Sequence, residues 1–213
     1  MGGGPGPARP AVDGLITSST RSDDLTAVAG LGALVAGGLH ARRGKVTPLE
    51  LRAFAFVNGL PTWATPPAWA VMQLGSLGGV FGVGAAAAVT GRTQLARRLV
   101  VAGTFTWVGA KVVKQFVRRG RPSTTEQLAR IIGRAPSGLG YPSGHAAVAA
   151  TLAAVATPGV PARGRRAAWT AALLVGPARM YVGAHLPLDV VGGIAFGSAV
   201  GAVTRRLSAR RHS

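Results

Sequence analysis

The chain has 213 residues, enough for one domain with a sizeable core, and it contains no cysteine, which excludes disulfides and thiolate metal sites. Its 24 Lys+Arg against 6 Asp+Glu give a formal net charge of +18, while 48% of the residues are hydrophobic. A soluble nucleic-acid binder could share this charge, but it would not carry an uncharged segment as long as residues 53–91. The composition therefore indicates a membrane protein with no nucleic-acid partner.

Six apolar segments are candidate membrane-spanning helices. A helix that crosses a membrane needs about 20 mainly apolar residues. In chain order they are residues 25–39, 66–90, 99–117, 144–160, 167–185 and 188–204. The first could instead be a buried or interfacial helix, so five or six spans are expected. We predict an all-α, polytopic membrane helical bundle in residues 25–204. A disordered Gly/Pro-rich tail (1–24) is expected before it and a basic tail (205–213) after it.

The second segment, residues 66–90, is predicted to be a single uncharged span. Gly75 and Gly79 lie four residues apart, as do Gly78 and Gly82. This spacing lets two helices approach closely in lipid, where no hydrophobic force drives helices together. We interpret these glycines as packing residues.

Arginine-rich segments lie between the apolar ones, at residues 92–98 and 163–166, and after the last one, at residues 205–211. With six spans all three face one side, which the positive-inside rule makes cytoplasmic. The opposite side also carries cations, at residues 118–134 and 179–189. Ionisable groups at the ends of apolar helices are costly and usually functional, so we expect this second set to serve chemistry.

The first cluster on that side contains Lys114 and Arg121, seven residues apart. They share one helix face if the helix continues through both. The planar fork of arginine and the compact charge of lysine suit phosphate oxygens, so the pair is predicted to be a phosphate clamp. The alternative is a helix C-terminus with favourable cations. Arg118 and Arg119 could extend this clamp, but we interpret them as solvated surface arginines.

The second cluster is the string from Tyr141 to His145, which precedes an uncharged, alanine-rich helix. Free backbone N–H groups at a helix start bind anions, and Gly144 lets the backbone approach an oxyanion. Ser143 offers a hydroxyl, and His145 can protonate a leaving oxygen near neutral pH. The alternative is a serine N-cap followed by an incidental histidine.

The third cluster runs from Arg179 to Asp189. Pro187 suits the first turn of a new helix, which places His185 just before that helix and Asp189 inside its first turn. A carboxylate on one imidazole nitrogen fixes the tautomer and makes the other nitrogen the better nucleophile. The alternative is a first-turn acid that interacts with the helix dipole beside a structural histidine.

Taken in order, Lys-x6-Arg-Pro, Pro-Ser-Gly-His and Arg-x5-His-x3-Asp resemble the type 2 phosphatidic acid phosphatase superfamily, which includes the vanadium haloperoxidases. The match covers residues 114–189, and the surrounding helices resemble the family's membrane-bound bacterial members. One departure is visible, because the family usually has serine before the third-motif arginine and this chain has Ala178. The resemblance implies the fold of the acid phosphatase and haloperoxidase core.

The resemblance also implies roles for individual residues. His185 would attack phosphorus, Asp189 would orient it, and His145 would protonate the leaving oxygen. The phosphate oxygens would be held by Lys114, Arg121, Ser143, Gly144 and Arg179. Cations would take the place of a metal, so neither a metal nor another cofactor is expected.

We therefore expect a phosphatase of the bacterial plasma membrane with an extracytoplasmic site. It would hydrolyse a lipid phosphomonoester or diphosphate through a phosphohistidine intermediate. The candidate substrates are a polyprenyl phosphate or diphosphate, phosphatidic acid and phosphatidylglycerol phosphate. One alternative is a non-catalytic protein that binds or transports anionic lipid. Another is a haloperoxidase with vanadate on His185, although those enzymes are soluble and larger. His40 and His212 lie in no motif.

Overall fold

The computed structural model describes residues 10–125 and 129–210, and within these ranges the chain forms helices and no strand. Two 3-10 turns, Thr62–Ala64 and Gln73–Gly75, precede and follow the third helix. The helices are α1 (Pro10–Arg42), α2 (Pro48–Asn58), α3 (Thr65–Met72), α4 (Leu77–Val89), α5 (Thr93–Val117), α6 (Pro122–Thr125), α7 (Gly144–Ala156), α8 (Ala162–Tyr181) and α9 (Pro187–Ala209). The predicted all-α bundle is confirmed.

Two described helices are long and apolar enough to cross a membrane, namely Arg21–Arg42 of α1 and the whole of α9. The pair Thr62–Gly75 and Leu77–Val89 passes the same test together but bends by 71°, as a broken span or a re-entrant loop would. By length and hydropathy the described chain thus offers two spans, or three with the bent pair. The predicted number of five or six is not confirmed, because α7 has only 13 residues and both α5 and α8 carry several cations.

The second apolar segment was predicted to be one continuous helix, and this prediction was wrong. The chain turns at Ser76, whose Oγ accepts a hydrogen bond from the Gly79 N–H at 2.9 Å and thereby caps α4. At Gly75, a Cβ atom would lie 2.3 Å from the carbonyl oxygen of His145. The break therefore lays the backbone of Gly75 directly against the start of α7.

Helices α7 and α9 form the centre of the bundle, and ten consecutive residues of α7, from Ala146, are buried. Cβ atoms at Gly193, Gly197 and Gly201 of α9 would come within 2.4, 2.0 and 2.4 Å of α7 or of Ser143, which caps it. The glycines that let two helices approach closely are thus those of α9, which packs against α7. At Gly82 of the predicted pair, a Cβ atom would meet nothing within 4 Å.

A buried pair of threonines adds polar contacts to this packing. The hydroxyls of Thr106 on α5 and Thr151 on α7 lie 2.9 Å apart, and Thr151 also donates to the carbonyl of Gly197 on α9 at 3.1 Å. Because both side chains are fully buried and have partners, they join three helices without leaving a polar group unsatisfied.

At the far end of α9, two arginines pair with acids of α1. Arg205 contacts Asp23 at 2.5 Å, and Arg206 pairs with Asp24. Both arginines belong to the last turns of α9, within the predicted C-terminal tail. The predicted N-terminal tail likewise overlaps α1, which begins at Pro10, while residues 1–9 and 211–213 lie outside the described residues.

Replacing Gly197 by Ala should lower stability, whereas Gly82→Ala should not. The new methyl group at Gly197 would meet the backbone of α7, and such overpacking costs about 1–3 kcal/mol. At Gly82 it would enter open space, and alanine favours a helix over glycine by about 0.5–1 kcal/mol. Thermal unfolding of both variants in one detergent measures the difference. Equal midpoints would show that α7 and α9 do not pack this closely.

Candidate active site

The third motif places His185 and Asp189 against each other. Leu186 caps α9 and Pro187 begins it, so Asp189 falls in the first turn, as its spacing predicts. Its Oδ2 lies 3.4 Å from His185 Nδ1 and accepts from the Leu186 N–H at 3.0 Å. Both side chains are buried, with His185 2% and Asp189 0% exposed.

The other imidazole nitrogen of His185 faces Arg121. Arg121 Nη1 donates to the carbonyl of Ala184 at 2.7 Å and lies 3.5 Å from His185 Nε2. Because a guanidinium only donates, Nε2 presents its lone pair, and Nδ1 carries the proton towards Asp189. Burial lowers the pKa of Arg121 and the charge of Asp189 opposes that shift. We assign the Nδ1–H tautomer from these contacts.

Lys114 and Arg121 reach the site without sharing a helix, because the helix does not continue through both. Helix α5 ends at Val117, and Arg118 follows in the left-handed conformation with φ 56°. Both cations are instead bound by carbonyls of residues 138–140. Lys114 Nζ donates to two of them at 2.9 and 2.6 Å, and Arg121 Nε donates to a third at 3.1 Å.

The second motif lies at the start of α7 and is joined to the third by the backbone. The N–H of Ser143 donates to the carbonyl of Asp189 at 2.8 Å, and its Oγ accepts from the Ala146 N–H at 3.5 Å. Ser143 is therefore the N-cap, Gly144 is the first residue of α7, and His145 follows, half-buried. The hydroxyl hydrogen of Ser143 is not used in this cap.

Tyr141 fixes the second motif to the rest of the bundle. The ring is fully buried, its hydroxyl donates to the carbonyl of Leu34 at 2.6 Å, and burial together with the charge of Asp189 raises its pKa to about 12. A Cβ atom at Gly192 would lie 2.4 Å from the ring. Tyr141 is thus a neutral anchor between α1 and α9.

Arg179 lies in the last turn of α8 with one donor unused. Its Nη1 is 3.5 Å from the sulfur of Met72, while its buried Nε has no hydrogen-bond partner. Electrostatic interactions join His145 and His185 to Arg179 and to the other two cations, Lys114 and Arg121. A buried donor without a partner beside several cations fits an oxyanion. Ala178, where the family usually has serine, lies in an apolar cluster with Met72.

Arg119 was predicted to be a solvated surface residue, and this was wrong. Its side chain is 3% exposed and bridges two carboxylates. Nη1 contacts Asp189 Oδ1 at 3.0 Å, and the guanidinium pairs with Glu50 at 2.8 and 3.0 Å. Burial acts to lower the pKa of Arg119, but the hydrogen bond to Glu50 and the two negative charges raise it above its usual value. Arg118, in contrast, is exposed as expected.

Glu50 is the site residue that the sequence did not reveal. It lies in the first turn of α2, is buried, and accepts from the Leu188 N–H at 3.0 Å in addition to Arg119. Its contact with Arg119 spans 69 residues of sequence. The signal that could have found it is its rarity, since it is one of only 6 acids in the chain.

Across residues 21–123 and 129–210, whose side chains the structure describes, no group of three or more His, Asp or Glu side chains is arranged to hold a metal ion. The donors that converge at this end of the bundle are instead lysine and arginine N–H groups, which suit an anion. His40 is exposed near the end of α1, and His212 lies outside the described residues.

Fold and site together define an α-helical membrane protein in which two histidines, a buried carboxylate and several cations lie together at one end of the bundle. The PAP2 superfamily model matches residues 95–213, more than half of the chain, and the chain belongs to this superfamily.

Two solved structures share the fold. The crystal structure of Aquifex aeolicus LpxE superposes with a TM-score of 0.68 at 25% identity, covering 75% of this chain and 96% of that one. A transmembrane PAP2 type phosphatidylglycerolphosphate phosphatase from Bacillus subtilis gives a TM-score of 0.65 at 20% identity, covering 85% of this chain and 96% of that one. No curated protein sequence matches the chain significantly.

Proposed function

We propose that the protein is a membrane lipid phosphatase that hydrolyses a phosphomonoester or diphosphate through a phosphohistidine on His185. The observation that carries this proposal is the pairing of a buried His185–Asp189 dyad with the partnerless Nε of Arg179. Membership of the PAP2 superfamily supports it, as does the likeness to a phosphatase named for a lipid substrate.

In the first step, the Nε2 lone pair of His185 attacks phosphorus and the bond to the lipid oxygen breaks. His145 gives its proton to that oxygen, so the lipid alcohol leaves neutral. A diphosphate substrate would lose a lipid monophosphate in the same way. The positive charge that forms on the His185 ring is stabilised by Asp189, which lies 3.4 Å from Nδ1.

Three cations stabilise the transition state. The transferring phosphoryl group carries its charge on equatorial oxygens, and Lys114, Arg121 and Arg179 supply donors towards them. The free N–H of Gly144 at the start of α7 and the hydroxyl hydrogen of Ser143 add neutral donors. These groups are held in place before the substrate arrives, so little reorganisation is needed during the reaction.

In the second step, water attacks the phosphohistidine. His145, now neutral, takes a proton from the water, the N–P bond breaks, and inorganic phosphate leaves. His185 regains its lone pair at Nε2, and the cycle is closed without a metal ion or another cofactor.

The substrate is proposed to be a polyprenyl phosphate or diphosphate, followed by phosphatidic acid and phosphatidylglycerol phosphate. The site lies at the end of the bundle opposite the arginines of residues 92–98 and 205–206, which the positive-inside rule assigns to the cytoplasm. We therefore place the reaction at the extracytoplasmic edge of the bacterial plasma membrane.

Phosphate release from a short panel of these lipids should persist in excess EDTA when the protein is purified in detergent. The reason is that the proposed chemistry uses cations of the chain in place of a metal. Release that EDTA abolishes and Mg²⁺ restores would contradict the mechanism. No release from any lipid would favour a protein that binds or transports anionic lipid.

Changing His145 to Asn should slow release of phosphate from a lipid monoester by about 10²–10⁴-fold. The first step on nitrophenyl phosphate should be far less affected, because nitrophenolate leaves without a proton. A rapid release of about one equivalent of nitrophenolate, followed by slow turnover, is therefore expected in a stopped-flow trace. The control is His40→Asn, which changes an exposed histidine. Equal slowing of the first step with both leaving groups would show that His145 is not the general acid.

A further inference from the structure

A large apolar cavity of about 770 Å³ lies away from the proposed active site, between α1, α5 and α9. Phe105 and Phe196 line it near the middle of the bundle, and Val203 and Leu207 line it nearer the end of α9. None of the proposed catalytic or phosphate-binding residues lines this cavity.

Two arginines line this cavity at the same end as Leu207. Arg97 and Arg98 lie in the second turn of α5, and Arg98 precedes Lys114 by 16 residues on the same helix. At 1.5 Å per residue this separates them by about 24 Å. Since the hydrocarbon core of a membrane is about 30 Å thick, the two arginines reach the membrane face opposite the proposed active site.

These two arginines differ from their neighbours at that end of the bundle. Arg205 and Arg206 pair with Asp23 and Asp24 of α1. Within the described part of the chain, Arg97 and Arg98 have neither an ion pair nor a hydrogen-bond partner for their guanidinium groups. The first turn of α5 also has no side-chain cap, so its N–H groups add positive potential.

The length of the cavity fits half a bilayer. On α9 it extends from Phe196 to Leu207, which is about 16 Å along the helix axis and close to half of the 30 Å core. An apolar cavity of this length that ends at two unpaired cations matches one chain of a lipid whose headgroup carries a negative charge.

We propose that this cavity binds an anionic phospholipid of the leaflet opposite the active site, with its phosphate at Arg97 and Arg98 and one acyl chain against Phe105 and Phe196. The lipid is not a substrate, because its phosphate is about 24 Å from the cations of the active site. It joins α5 and α9, whose other ends carry Lys114 and Asp189. Bound lipid therefore holds together the two helices that supply these groups.

Native mass spectrometry of the detergent-purified protein, titrated with phosphatidylglycerol or zwitterionic phosphatidylcholine, tests this proposal. Wild type should retain phosphatidylglycerol preferentially, and R97Q/R98Q should retain it at least about tenfold less. The matched control R163Q/R165Q removes the same charge from exposed positions on α8 and should keep wild-type retention. Val203→Trp fills the cavity without changing charge, and it should also lose the lipid.

Three outcomes would overturn the proposal: equal retention of the two lipids by wild type, an equal loss in R163Q/R165Q, or unchanged retention in Val203→Trp. The first two would indicate general surface attraction, and the third would show that the chain lies elsewhere. His185→Ala should retain phosphatidylglycerol like wild type, so failure of the proposed phosphatase chemistry leaves this test intact.

Discussion

Replacing His185 by Ala should reduce phosphate release by at least about 10³-fold, because no N–P bond can form without Nε2. The cations proposed to bind phosphate lie on other elements and remain, so the affinity for vanadate or inorganic phosphate should change much less. Single-turnover assays measure the chemical step, and calorimetry with phosphate measures binding. A loss of rate without a comparable loss of binding is the expected result.

The matched control is His40→Ala, since His40 is an exposed histidine on α1 outside every motif. Wild type quenched during turnover should carry phosphate that is stable in alkali and lost in acid, as expected for phosphohistidine, and His185→Ala should carry none. Full activity in His185→Ala, or a phosphorylated residue elsewhere in the chain, would refute the nucleophile assignment.

The sequence predicts the His185–Asp189 pair well because the geometry is local. The two residues are four positions apart, and a helix starts between them at Pro187, so their side chains can be arranged in few ways. Ser143 is predictable as an N-cap for the same reason. Local rules thus place the dyad and the start of α7, and residue spacing alone is enough.

The end of α5 was not predictable in the same way. The sequence from Lys114 to Arg121 permits a continuous helix, but α5 ends at Val117, and both cations bind carbonyls of residues 138–140. That loop lies some 20 residues away in sequence. The break at Ser76 also depends on tertiary structure, since Gly75 packs against the backbone of His145.

Dependence on tertiary contacts also explains why the prediction of a solvated Arg119 was wrong. A run of arginines after a helix usually is a solvated surface, and charged side chains are rarely fully buried unless paired. The partner of Arg119 is Glu50, which lies on a short helix outside the predicted apolar segments. The apolar segments of the sequence include the long helices α1 and α9 but not this helix, so the network of Glu50, Arg119 and Asp189 appears only in the fold.

Changing Arg119 to Gln should cost about 3–5 kcal/mol of stability, because it leaves the buried carboxylates of Glu50 and Asp189 without their shared cation. Activity should fall as well, since Asp189 then loses the contact at 3.0 Å that fixes it beside His185. Chemical denaturation in detergent measures the first effect, and the rate of phosphate release from the folded fraction measures the second.

Arg118→Gln is the matched control for this prediction, because it makes the same change one residue earlier at an exposed position. A double-mutant cycle with Glu50→Gln separates the ion pair from general damage. If Glu50 and Arg119 act as a pair, the double variant should lose less stability than the sum of the two single variants, because the second change removes a charge that the first left unpaired. Additive losses, or an Arg119→Gln variant as stable as Arg118→Gln, would show that Glu50 and Arg119 do not act as a stabilising buried pair.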